Sequence, residues 1–188
     1  MTHHHRGKSS ESFLDKDIIL RELNILPGQT VLDAGCGNGY MSKEFSRILI
    51  NTGRVFALDP DREAIEALRK QTEGTNIEAM IGDITSTTPL EASSIDLIYL
   101  STVFHGFSES QIRGFQTETR RLLKPHGRLS VVEIQKSAPF GPPLEMRFSP
   151  EELKRIVTLA PLTTLDVGHY FYMQLFRNSV EDPTDKEG

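Results

Sequence analysis

The sequence predicts an α/β protein with a doubly wound, mostly parallel sheet, and three observations carry that reading. Short β-branched or apolar runs alternate with helical patterns from Thr30 to Ile134. The best-marked strand, Thr30-Val31-Leu32, runs into a glycine loop and directly on into a helix. The chain then closes on a hairpin, which brings the predicted strands to seven. Alternating strands and helices imply parallel neighbours joined by right-handed crossovers.

Asp15–Asn24 reads as a short helix with Ile18, Ile19, Leu20 and Leu23 as its apolar stripe, ended by Pro27-Gly28. After the first strand come Gly35, Gly37 and Gly39, at every second position. Met41, Phe45, Ile48 and Leu49 then fall at i, i+4, i+7 and i+8, one face of a helix over Tyr40–Asn51. Arg54–Leu58 is the second strand and ends at Asp59-Pro60; Asp61 caps a helix whose inner face holds Ala64, Ile65 and Leu68. Ile77–Ile81, closed by Gly82-Asp83, is the third strand, and the connection from Ile84 to Ser94 carries little helical pattern. Ile95–Leu100 is almost continuously apolar, as a central strand covered on both faces requires. Ser108 and Gln111 form a capping-box pair for a helix bearing Ile112, Phe115, Leu122 and Leu123. Pro125 and Gly127 stop it before the fifth strand, Arg128–Ile134. Ser149-Pro150-Glu151-Glu152 opens a last helix with N-cap, N1 proline and N3 glutamate. Thr163–Val167 and Phe171–Phe176 make the closing hairpin around Gly168-His169.

Composition bounds the function. The 188 residues are 37% hydrophobic and 25% charged, which fits one soluble globular domain. A net charge of −5 argues against a general affinity for nucleic acid or an anionic membrane. No apolar run approaches a membrane span, and the polar start lacks a secretory core. Cys36 is the single cysteine, which excludes an internal disulfide and points to the reducing cytoplasm. Residues 1–12 are expected to be a flexible start, 13–178 the folded domain and 179–188 a disordered tail. His3, His4 and His5 could hold a metal weakly, but no carboxylate or cysteine nearby completes a site, so no metal is expected.

A strand that turns through glycines into a helix is a nucleotide-type site. Glycine lets a ligand approach bare backbone, and the helix start offers unpaired N–H groups. Dinucleotide binders use Gly-x-Gly-x-x-Gly, but the sixth position from Gly35 is Tyr40, and the third glycine comes early, at Gly39. Asp33, two residues before Gly35, would repel a pyrophosphate and attract an ammonium group. In an open parallel sheet ligands bind beyond the carboxyl ends of the strands, which also selects Asp59, Asp83 and the run Ser101–Phe107. Asp59 can accept hydrogen bonds from a ribose diol, a feature that by itself fits NAD and any other ribose-bearing ligand alike.

Asp33-Ala34-Gly35-Cys36-Gly37-Asn38-Gly39 resembles the first motif of the class I S-adenosylmethionine-dependent methyltransferases. Leu122-Leu123-Lys124-Pro125-His126-Gly127-Arg128-Leu129 is similar to the helix-to-fifth-strand turn of the small-molecule, ubiquinone/menaquinone-biosynthesis type. The resemblance spans roughly Asp15 to Arg177. It implies S-adenosylmethionine as cofactor, a small-molecule acceptor, and a Rossmann-like methyltransferase sheet ending in an antiparallel strand paired at the sheet edge. It also implies a cofactor site of Asp33, Gly35, Cys36, Gly37, Gly39, Asp59, Pro60, Asp83, Ile84 and Ser101, with Asp83 on the adenine amino group and the Ile84 N–H facing the ring.

The fourth strand ends in Leu100-Ser101-Thr102-Val103-Phe104-His105, without the Asn/Asp-Pro-Pro-Tyr of enzymes that methylate base amines. Arsenite methylation would need a set of thiols, and only Cys36 exists. His105 is the candidate general base. An unperturbed imidazole titrates near 6.5, and a position before a helix start would favour its neutral form. Phe104 and Phe107 are expected to wall the site from water, with His126 and His169 as rivals lying away from the cofactor. Gln135–Phe148 is long enough for a binding loop and offers Glu145, Met146 and Arg147 as substrate contacts. The competing functions are an NAD-linked oxidoreductase, opposed by Tyr40 and Asp33, and a non-catalytic adenosylmethionine-binding module.

Overall fold

The computed structural model describes residues 10–50 and 52–179. Seven strands form one sheet in the order β3-β2-β1-β4-β5-β7-β6. They are β1 (Thr30–Ala34), β2 (Arg54–Asp59), β3 (Ile77–Ile81), β4 (Ile95–Ser101), β5 (Leu123–Ile134), β6 (Ala160–Asp166) and β7 (Phe171–Arg177). The helices are α1 (Lys16–Leu23), α2 (Tyr40–Ile48), α3 (Arg62–Gln71), α4 (Glu109–Leu122) and α5 (Pro150–Ile156). The strand order reverses between β1 and β4, so the crevice beyond their carboxyl ends is the switch point where open α/β sheets bind ligands.

Successive strand side chains point to opposite faces, and both faces are covered. Leu32, Leu58, Ile98, Leu100 and Leu129 pack with Phe115 and Leu122 of α4 and Leu153 of α5. Val31, Val55, Leu97 and Tyr99 pack on the other face with Phe45 of α2 and Ile19 and Leu23 of α1. Each fully buried side chain of this size stabilises the fold by about 1.5–3 kcal/mol. Capping sets the helix starts as the sequence indicates. Asp61 accepts from the Glu63 and Ala64 N–H groups, and both Ser108 and Ser149 complete capping boxes. No helix separates β3 from β4. Instead the connection lies directly on α4, where a Cβ on Gly114 would stand 2.0 Å from the Thr85 oxygen. Buried Glu118 accepts there from the Thr88 N–H and hydroxyl, at 2.8 and 2.7 Å.

The hairpin differs from the expected sheet edge in one respect. β7 is antiparallel, but it lies between β5 and β6, and β6 forms the edge. Burial explains the choice. Phe171–Phe176 is buried throughout, whereas β6 is mostly exposed, contains Pro161 and breaks register between Pro161 and Thr164, as suits an edge strand. α2 ends at Ile48 rather than Asn51, and β5 starts five residues before Arg128, with an irregular register opposite Ile95 and Leu97. Ser10–Phe13 forms a 3-10 turn, and the Phe13 ring stands 5.0 Å from that of Phe140. The flexible start expected over residues 1–12 and the disordered tail expected over 179–188 fall for the most part, at 1–9 and 180–188, outside the described residues.

Candidate cofactor and acceptor site

The three loop glycines all have positive φ, 73°, 51° and 74°, but they serve different ends. A Cβ on Gly35 would lie 2.6 Å from Val103 Cγ2, and one on Gly39 would lie 2.4 Å from Leu68 Cδ1. Close packing excludes side chains at both. At Gly37 nothing stands within 4 Å of that position, so its bare backbone faces open space. The Gly35 and Cys36 N–H groups donate to the Leu58 carbonyl, fastening the loop to β2. Asp59 fastens it again. One carboxylate oxygen accepts the Gly37 N–H and the other the Asp61 N–H, both at 2.8 Å. Each oxygen keeps lone-pair capacity for a ligand hydroxyl, and Pro60 beside it is exposed.

Asp33, expected to attract an ammonium group, lies beneath the loop, 3% exposed, and accepts the Ser42 hydroxyl at 2.5 Å. Burial outweighs that bond and pushes its carboxyl up to about 7, so near neutrality it is only partly ionised. Asp33 thereby ties β1 to α2. Cys36 packs with Ala57, Ile65, Leu68 and Ala79, and burial pushes its thiol up, which suits a small core residue and not a nucleophile. One Asp83 oxygen is taken by the Thr85 N–H and hydroxyl, and Ile84 is buried in the core. Ser101 is half-buried at the end of β4. Thr102 follows with φ 55°, a rare conformation for a β-branched residue. This kink turns the chain so that Val103 lands on Gly35.

Val103 thus brings the turn Phe104–Gly106 beside the glycine loop, and with it His105. The His105 ring is not isolated. Its Nδ1 lies 2.9 Å from one oxygen of Glu133, and its backbone N–H donates to the other at 3.1 Å. Burial pulls the imidazole pKa down, but Glu133 more than offsets this and the net shift is upward. The structure thereby corrects the expectation of a ring biased to the neutral form by a helix start. The Phe104 ring is fully buried, with the rings of Phe107, Phe115 and Phe148 centred within 5.7 Å of it. Sequence reasoning missed Glu133. The signal was a lone acid in the apolar run Val131-Val132-Glu133-Ile134.

Arg147 is a second correction. Instead of being presented to a substrate, its guanidinium donates to the carbonyls of Gln135, Lys136, Ala138, Phe140 and Pro142, gathering the loop around itself. Glu145 and Met146 sit exposed on the turn Leu144–Met146. His126 lies at the opposite end of β5 from Glu133. His169 sits at the same sheet end as His105 but packs edge-to-face with Tyr170, with ring centroids 4.3 Å apart.

An open sheet with a bare glycine cradle at its switch point and a strand-end carboxylate behind it defines a nucleoside-binding α/β domain of the class I methyltransferase type. The chain belongs to the methyltransferase domain family, whose match covers residues 31–127. Among solved structures it is similar to a SAM-dependent methyltransferase from Aquifex aeolicus, with a TM-score of 0.80 and 25% identity, covering 91% of this chain and 93% of that one. Among curated proteins it is 29% identical to the arsenite methyltransferase of Halobacterium salinarum, over 74% of this chain and 35% of that protein. It is 27% identical to the ubiquinone/menaquinone biosynthesis C-methyltransferase of Paraburkholderia xenovorans, over 84% and 63% respectively. An uncharacterised transposon protein of Streptomyces fradiae is 36% identical over 63% of this chain, which spans 34% of that protein's length. The chain thus spans between about a third and two thirds of these curated relatives.

Proposed function

We propose that this chain transfers a methyl group from S-adenosylmethionine to a small-molecule acceptor. The observation that carries the proposal is the open face of Gly37 with Asp59 directly behind it. A ligand backbone can lie against the bare loop while its ribose hydroxyls reach the two Asp59 oxygens. Asp83 and the Ile84 N–H would take the adenine edge. Gly35, Cys36, Gly39 and Ser101 would frame the amino-acid end, with the Asp33 carboxyl beneath them. When bound, S-adenosylmethionine supplies an electrophilic methyl group on a sulfonium whose sulfur leaves as a neutral thioether. The leaving group needs no proton, so the chain's own residues align the acceptor, exclude water and remove the acceptor's proton.

In this reading the Phe104, Phe107 and Phe148 rings exclude water and His105 takes the proton from a hydroxyl, thiol or activated carbon. Arsenite is disfavoured as acceptor because the one cysteine is buried. The net charge of −5 speaks against nucleic acid, and that single reduced thiol suits the cytoplasm. The test is a thermal shift with adenosylmethionine, adenosylhomocysteine and NAD. A ligand at 100 times its Kd raises stability by about 2.7 kcal/mol. Stabilisation by the two adenosyl ligands is expected, and stabilisation by NAD alone would overturn the proposal.

A further inference from the structure

We infer that Glu133 is a positioning residue that holds His105 with its proton on Nδ1, leaving the Nε2 lone pair as the basic site. The inference rests on the methyltransferase reading only for what the proton comes from; the geometry stands on its own. Glu133 lies next to the end of β5, its side chain 1% exposed, and its two oxygens engage two different donors of the same residue. One oxygen holds the His105 backbone N–H and so fixes the turn Phe104–Gly106. The other meets the ring nitrogen. An ionised carboxylate can only accept, so Nδ1 must be the N–H and Nε2 the acceptor in the neutral ring.

A structural tie alone would not call for this arrangement. Taking a carboxylate out of water costs several kcal/mol unless a partner compensates, and an amide could hold the backbone N–H equally well. What the carboxylate adds is basicity. The charged groups bearing on the ring are Glu133 from β5, which favours the imidazolium, and Arg147 from the following loop, which disfavours it. Tyr172 of β7 lies opposite Glu133 in register, but its hydroxyl is turned away, donating to the Phe148 carbonyl at 2.7 Å. Glu133 is therefore left to His105 and not shared with the tyrosine.

The proton balance follows. Nε2 takes the proton of the acceptor's X–H group, and the electron pair freed on X forms the bond to the methyl carbon. The pair of the broken carbon–sulfur bond stays on sulfur. His105 becomes an imidazolium stabilised by Glu133 and returns to the neutral form by releasing its proton to water.

The experiment is a 15N NMR titration of the His105 ring in the chain without ligand, for the wild type and for Glu133→Gln. In the wild type, the neutral ring is expected to show a protonated Nδ1 and an unprotonated Nε2, with a midpoint above 6.5. In the variant the midpoint should fall by about one to two units, the size of an opposite-charge effect at this range. A wild-type ring carrying its proton on Nε2 overturns the inference without any variant having to fold, and so does an unmoved midpoint in a folded Glu133→Gln. Calorimetry on the same samples keeps the two readings apart. Failure of the wild type to bind adenosylmethionine overturns the proposed function, whereas the ring titration decides the role of Glu133.

Discussion

The β1–β2–β3 side of the crevice and the β4–β5 side are built from different materials. On the first side a ligand meets backbone: the bare Gly37, one of three left-handed glycines in the loop, with Asp59 bonded to the same residue. On the second they are side chains that meet only through folding. His105 and Glu133 are 28 positions apart, and Phe148 joins the aromatic cluster from a third segment. A backbone cradle suits a ligand common to a whole family, because its shape is insensitive to most side-chain changes. A side-chain constellation can vary with the acceptor while the sheet stays the same.

Substitutions at three positions sharpen this contrast. The largest effect is expected from His105→Ala, with kcat on the acceptor falling about 10²–10⁴-fold while adenosylmethionine affinity holds. Removing the ring also leaves one oxygen of buried Glu133 without its partner, so His105→Gln, which can still donate to that oxygen, should be assayed beside it. Wild-type turnover in either variant would take the base away from the β4–β5 side.

Asp59→Ala acts on the other side. Calorimetry should show adenosylmethionine binding weakened by about 1.5–3 kcal/mol, the range for hydrogen bonds to a charged group. Part of this loss comes from the Gly37 N–H, which gives up its acceptor. Unchanged affinity in a folded protein would mean that the cradle alone carries the ligand.

Arg147→Ala is expected to have the smallest effect, and a local one. Five carbonyls lose a shared donor, so residues 135–148 should open more often, and limited proteolysis there should quicken about tenfold. Adenosylmethionine affinity should hold. If it falls with the loop, the two sides are coupled and the contrast between them is weaker than the contacts suggest.

The glycine side was legible in the sequence because its information is local. Asp33 to Gly39 lie on one turn, and Asp59 and Asp83 mark strand ends that the alternating pattern reveals. What was less legible even here was depth. Asp33 lies near the end of β1, as its place in the sequence indicates, but burial and the Ser42 hydroxyl decide how much charge it carries. On the other side His105 could be singled out, yet its protonation was read with the wrong sign. A helix start acts through a partial charge, while Glu133 brings a full one at hydrogen-bonding distance. Arg147 looked like a free cation because nothing in the sequence indicates that a loop will fold back around a guanidinium.

By itself the sequence determined the order of elements, the seven strands, the helix caps and the identity of the glycine loop, since periodicity, capping chemistry and turn residues act over a few positions. Tertiary structure decided what depends on distance through space. It set β7 inside β6, laid Val103 on Gly35, joined His105 to Glu133 and tied Arg147 into its own loop. Electrostatic and packing interactions fall off over a few ångströms, and separation along the chain does not encode those distances.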